Sequence, residues 1–303
     1  MKPLPLWALC CLSSISTALA IDIDGHSAAD NDRFADNSSF IGNSFDLSGV
    51  GRTTTGNSGK GGYWATMISK NVFLSANHYH PGTGDDLYFY SDNDPSTAAF
   101  LSSVGGGQRL GTSDLWIGYI NSPTPGSITY FDWITDSHTP ASYAASALAL
   151  EDVYMVGITP SSTTYGTNRK TSMAMGTNIV DAFGDVTVDS TTAPALQTTR
   201  QQAADIGHTT HEAQLMDGDS GGPLFREVGG ELQLIGINWA VGLVDIAPGP
   251  AQVVRESSYF SYIGNYSTEI KTYIDAHPVT APEPSTGFAL AMGLLILSAR
   301  RDR

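Results

Sequence analysis

Cysteine is nearly absent: Cys10 and Cys11 are the only two in 303 residues, and both lie near the start. If that start is a leader that is removed, the mature chain can form no disulfide, and stability must come from a buried core. Bases are scarce too, 15 Lys and Arg against 30 Asp and Glu. Long apolar runs are missing: Leu4–Leu12 and Phe288–Ala299 both fall short of the ~20 residues that a free-standing membrane span needs. No internal repeat is present, which excludes a solenoid or propeller.

The two apolar runs read as address labels. Lys2 precedes the first, Ser13, Ser14 and Ser16 make its far side polar, and Ala18-Leu19-Ala20 offers small residues where a signal peptidase reads. Residues 1–20 are therefore expected to be a signal peptide, with signal peptidase as a partner and cleavage after Ala20. At the other end, Pro282-Glu283-Pro284 precedes the second run, and Arg300, Arg301 and Arg303 come after it, as the positive-inside bias favours for a cytoplasmic end. This order resembles the PEP-CTERM sorting signal of Gram-negative bacteria. The resemblance implies a tail over 279–303 with a short transmembrane segment. It further implies transient anchoring in the inner membrane, cleavage by an exosortase-type enzyme near the tripeptide, and release to the cell surface or extracellular matrix.

Removing residues 1–20 and 285–303 takes four bases and one acid from the totals of 15 and 30. That leaves 11 bases and 29 acids, a formal charge of −18. Such a surface repels nucleic acid, which is not expected as a partner. The charge itself reads as solubility outside the cell.

Between the labels, residues 21–278 are long enough for one large β domain or two half-domains. Ile21 to about Gly62 is polar with few clear elements. Short β-branched and aromatic runs come next, separated by Gly, Pro, Asn and Asp: Tyr63–Ile68, Val72–Leu74, Leu87–Tyr90, Leu115–Ile120, Val153–Val156 and Leu232–Ile237. They read as antiparallel strands. The Ser/Thr-rich piece Thr187–Thr199 reads as a surface loop. One helix is expected near the end, with Ser267 or Thr268 as cap and Ile270, Tyr273 and Ile274 on one face. The fold class is all-β with a C-terminal helix.

The chemistry gathers in MDGDSGGPLF, Met216–Phe225. A serine hydroxyl is a weak nucleophile until a neighbouring base takes its proton. An oxyanion then needs backbone N–H donors, and glycine lets the chain approach closely. In this run the N–H groups of Gly218 and Ser220 can form such a hole. Of seven histidines, His78 stands directly after an apolar run, where a ring could be fixed; His80 is two residues on. His26, His138, His208, His211 and His277 lie in polar settings and are expected to be exposed. Asp114, just before Leu115-Trp116-Ile117, is the first choice for a carboxylate that orients the imidazole, and Asp132 the second.

Together these residues resemble the trypsin/chymotrypsin family of serine peptidases. Gly218–Pro223 reproduces its nucleophile motif. Leu74–His78 looks like its histidine motif with Asn77 in place of the usual alanine, and Asp114–Ile117 like its aspartate motif. The order His, Asp, Ser is the family's, with gaps of 36 and 106 residues. The resemblance covers most of residues 50–276. It implies two six-stranded antiparallel β-barrels, a catalytic triad of His78, Asp114 and Ser220, and a polypeptide substrate. It also implies that Gln214 forms the base of a specificity pocket beside Asn238, Trp239 and Ala240. A glutamine there argues against a preference for Lys or Arg.

Three departures stand out. Tyr79 replaces the cysteine that usually comes after the histidine. The family pairs the residue at Asp219 with a new N-terminal ammonium, yet no Ile-Val-Gly-Gly-like sequence occurs; Ile21 and Ile41 are the nearest equivalents, and an internal Arg or Lys is the other possible partner. Asn238 stands where a serine often contacts the triad aspartate. No cofactor is expected. Asp92 and Asp94 invite calcium but match no strict binding loop, and a solvated acidic turn is the better reading. The expected function is an exported serine endopeptidase. The alternative is a non-catalytic protein of the same fold that binds at the cell surface or in the exopolysaccharide matrix.

Overall fold

The computed structural model describes residues 20–54, 62–146, 148–160, 169–203, 205, 207–245 and 254–279. The expected leader and sorting tail lie outside these residues, apart from Ala20 and Val279. Among the described residues no helix is long and apolar enough to cross a membrane.

Two closed antiparallel barrels of six strands each make up the fold. The first contains β2 (Val50–Arg52), β3 (Trp64–Met67), β4 (Val72–Ala76), β5 (Asp86–Phe89), β6 (Phe100–Arg109) and β7 (Leu115–Ile120), closed in the order β2-β3-β4-β7-β6-β5. The second contains β8 (Asp152–Gly157), β9 (Ala174–Val188), β10 (Thr191–Thr199), β12 (Pro223–Val228), β13 (Glu231–Asp245) and β14 (Val254–Tyr262), closed as β10-β14-β13-β12-β8-β9. A small separate sheet pairs β1 (Asp22–Ile23) with β11 (Ala213–Gln214). Each of the six apolar runs between Tyr63 and Ile237 lies in a strand.

One buried cluster joins the barrels. Leu74, Ala76, Leu115 and Ile117 of the first share it with Val156, Leu224, Ile235 and Ile237 of the second, and Phe131 packs on Phe225 with ring centroids 4.6 Å apart. A dry seam of this kind fixes the barrels relative to each other, because closely packed interiors resist sliding.

Two elements differ from expectation. Thr187–Thr199 is not a surface loop: it holds the end of β9, a turn at Asp189 and Ser190, and all of β10. Its threonines are β-branched and suit a pleated strand, and residues 195–199 are buried. Asp189, at φ 52°, supplies the left-handed residue of the turn. The C-terminal helix, α1 here (Ser267–Ala276), has Tyr266 at its N-cap with no side-chain cap. Ser267 Oγ bonds the carbonyl of Thr135 instead. A 3-10 turn over Gly264–Tyr266 leads into the helix, and Ile270 and Tyr273 are its buried face.

Candidate active site

The serine, the histidine and the aspartate come from loops at the seam. In the first barrel, β4 and β7 are neighbours, and Ala76 lies opposite Leu115. That register places the residues just past β4 beside those just before β7. Asn77 N–H donates to the Asp114 carbonyl at 2.7 Å, and His78 N–H donates to Asp114 Oδ1 at 3.0 Å. Asp114 is 2 % exposed, and its Oδ2 lies 2.5 Å from His78 Nδ1. With both carboxylate oxygens engaged by one residue, the ring has its tautomer and its direction set.

Ser220 belongs to the second barrel, on the loop from β11 to β12. Its Oγ is 2.9 Å from His78 Nε2. The loop is tied to β13 by Gly221 N–H to the Asn238 carbonyl (2.9 Å) and Asn238 N–H to the Gly222 carbonyl (2.8 Å). Gly221 has a φ of 88°, and a Cβ there would lie 2.8 Å from Ser75 Oγ, so glycine is required. Gly218 and Ser220 have no acceptor for their N–H groups among the described residues, whereas Asp219, Gly221 and Gly222 all donate to carbonyls. One open donor is the serine's own N–H and the other lies two residues before it.

Asp219 answers one question the sequence left open. It is fully buried, and no Arg or Lys among the described residues forms an ion pair with it. Ile158 N–H donates to Oδ1 at 2.7 Å and Met216 N–H to Oδ2 at 2.8 Å. Burial pushes the carboxyl up to about 7, although those two bonds and the more distant Arg52 pull the other way. Ile21 lies beside it. A Cβ on Gly157 would be 2.6 Å from Asp219 Oδ1 and 2.7 Å from Ile21 Cβ, so those two atoms are at most 5.3 Å apart. Ile21 is itself fully buried, and its N–H donates to the Ile158 carbonyl at 3.1 Å.

The residues expected to line a specificity pocket are largely inside the second barrel. Gln214, 5 % exposed, lies opposite Asp22 in the small sheet, and its Oε1 has no hydrogen-bond partner among the described residues. Trp239 is buried against Val186, Ala193, Ala195 and Tyr259, while Ala240 is half-buried. The Asn238 amide donates to the carbonyls of Val156 and Asp219 at 2.8 and 3.0 Å, so it supports the serine loop rather than Asp114.

Asp132, the second choice for the carboxylate, is exposed and stands apart from His78. The remaining histidines are half-buried, not exposed. His80 stacks on Trp116 (3.7 Å between centroids), His277 on Tyr119 and Tyr273, and His26 meets Asp32. The imidazoles of His80 and His277 serve as aromatic packing surface, which a polar local sequence does not disclose. Asp92 and Asp94 accept from Thr97 and Ser96 of their own loop. Among the described residues no three acidic, histidine or cysteine side chains are grouped to hold a metal.

No family model and no curated protein matches the sequence. Among solved structures, the chain is similar to the apo MamO protease domain from Magnetospirillum magneticum, at 14% identity and a TM-score of 0.44, over 75% of this chain and 96% of that one. It is also similar to the NS6 protease from murine norovirus 1, at 14% identity and a TM-score of 0.42, over 77% of this chain and 97% of that one.

Proposed function

We propose that this chain is an exported serine endopeptidase that hydrolyses peptide bonds through an acyl-enzyme. One observation carries the reading: a continuous line of short hydrogen bonds from Ser220 Oγ through His78 to the buried Asp114, with two open N–H groups at Gly218 and Ser220. Ser220 Oγ attacks the substrate carbonyl while His78 Nε2 takes its proton. Asp114 holds the imidazole and stabilises its charged form. The N–H groups of Gly218 and Ser220 receive the oxyanion. His78 returns the proton to the departing amine, and water repeats the sequence to free the acyl group. The substrate is a polypeptide.

Export and sorting are read from the two terminal signals. We further read cleavage after Ala20 as the event that completes the enzyme. It would free the α-ammonium of Ile21 next to the buried Asp219, where no other cation is paired among the described residues. Leader removal then supplies the end that the folded enzyme needs.

The experiment is labelling of the chain from Ile21 to Ala281 by a fluorophosphonate probe, with Ser220→Ala alongside. Labelling that the substitution abolishes is the expected result. A folded protein that does not label would favour the non-catalytic, binding alternative.

A further inference from the structure

The segment after Ala20 has little to hold it in place. β1 is two residues long and reaches β11 through Asp22 opposite Gln214 and Ile23 opposite Ala213. Two ladder positions make a weak element on their own. Additional grip comes from the side. Arg200, one residue past the end of β10, sends Nη1 to the Asp22 carboxylate and Nη2 to Asp24 Oδ1 at 2.5 Å. Glu256 Oε2 is 3.6 Å from the same Nη1, and His208 Nε2 is 3.6 Å from Asp24 Oδ2.

The anchor of Arg200 lies in the second barrel, independent of what it grips. Its N–H donates to the Glu256 carbonyl at 2.8 Å, next to the Thr199–Ser257 pair of the β10–β14 ladder. The loop it opens is tied back by Glu212, whose buried carboxylate accepts from Gln201 N–H, Thr209 N–H and Thr209 Oγ1 at 2.8–2.9 Å. The Glu212 carbonyl in turn accepts Asp24 N–H at 2.8 Å. Asp22 and Asp24 flank Ile23, whose side chain is buried while theirs reach the guanidinium, as alternation along an extended chain allows. A planar guanidinium presents its donors in a fixed fork, so it holds two such carboxylates at once with less loss of side-chain freedom than an ammonium does. Without it, Asp22, Asp24 and Glu256 would face one another with His208 as the one other paired base among the described residues.

We propose that Arg200 is a positioning residue: it straps the start of the mature chain across the second barrel and so holds residue 21 against Asp219. The proposal rests on the reading that a chain beginning at Ile21 pairs its ammonium with Asp219. Arg200 touches neither substrate nor the serine, and acts only through the segment it grips.

The test uses the chain beginning at Ile21, with Arg200→Gln, Arg200→Lys and Asp219→Asn. Two rates are measured: fluorophosphonate labelling, and acetylation of the Ile21 α-amine by an amine-reactive ester, located by peptide mass. Arg200→Gln is expected to slow labelling and speed acetylation by about tenfold each, the scale of two charge-assisted bonds partly screened by water. Arg200→Lys should fall between, and it carries the test if Arg200→Gln does not fold. Adding Asp22→Asn and Asp24→Asn to Arg200→Gln should produce no further loss. If both rates stay within about twofold in the Arg200 variants, the scale of a surface pair of no consequence, while Asp219→Asn abolishes labelling, the strap is refuted and the Ile21–Asp219 pairing stands. Labelling at the parental rate in Asp219→Asn would refute the pairing, and the strap with it.

Discussion

Replacing Asp219 with asparagine is expected to have opposite effects on stability in two chains that differ by one residue. One chain begins at Ile21, and the other carries Ala20 ahead of it. In the longer chain the nitrogen of Ile21 is an amide, and burial holds the Asp219 carboxyl at about 7 against an ordinary 3.8. Between those values the folded state keeps the proton and the unfolded state releases it, so stability falls as pH rises from about 4 to about 7. By pH 8 the loss is about 4 kcal/mol. Asparagine removes that charge but leaves Met216 N–H without its acceptor, at a cost of about 1 kcal/mol. The longer chain should therefore gain about 3 kcal/mol at pH 8, and almost nothing at pH 4. In the chain from Ile21 the same substitution strands a buried ammonium and should cost about 3–5 kcal/mol. Urea unfolding of the four proteins at pH 8 reads both values. The same sign in both chains would refute the argument that Ile21 and Asp219 meet as a pair.

The geometry carries two further expected outcomes. Asp114→Asn keeps the packing but leaves the imidazole in the wrong tautomer, so kcat for a peptide substrate should fall about 10⁴-fold with KM little changed. Arg33→Lys should lower stability by about 2–4 kcal/mol in thermal unfolding. The buried Arg33 guanidinium serves Leu47, Tyr90, Asp92 and Asn93 together, which one ammonium cannot do; an unchanged midpoint would refute that role.

The strands with β-branched and aromatic runs were legible because local pattern and burial agree there: Leu115–Ile120 and Val153–Val156 are examples. β6 was not, because Gly105, Gly106 and Gly107 conceal a strand. A Cβ on Gly105 would lie 2.2 Å from the Tyr119 ring, and one on Gly107 2.5 Å from Trp116 Nε1. Those glycines make room for neighbouring rings, and the rings lie on another strand. β10 was hidden by threonine, which serves loops and strands alike. His78 and Asp114 were each visible as a residue flanking an apolar run, but the register that joins them, Ala76 opposite Leu115, is a property of the ladder. The ligands of Asp219 left no trace in the sequence, since both are main-chain N–H groups. Arg200 sits in a plain Thr-Thr-Arg-Gln-Gln stretch, with Asp22 and Asp24 lying 178 and 176 residues earlier.

The pairing of β1 with β11 also sets an order in time. On the reading proposed above, a chain exported N-terminus first would present Ile21 to the outside long before residue 214 had emerged, when the strand it joins does not yet exist. Once the segment has docked, Ile21 is fully buried and Ala20 packs against the core, so the bond between them is shielded from a membrane-bound peptidase. On that reading the leader would be cut while the rest of the chain is still in transit. The freed end would then wait for some two hundred residues to pass through the membrane behind it. An endopeptidase timed this way would stay harmless to the translocation machinery that threads it.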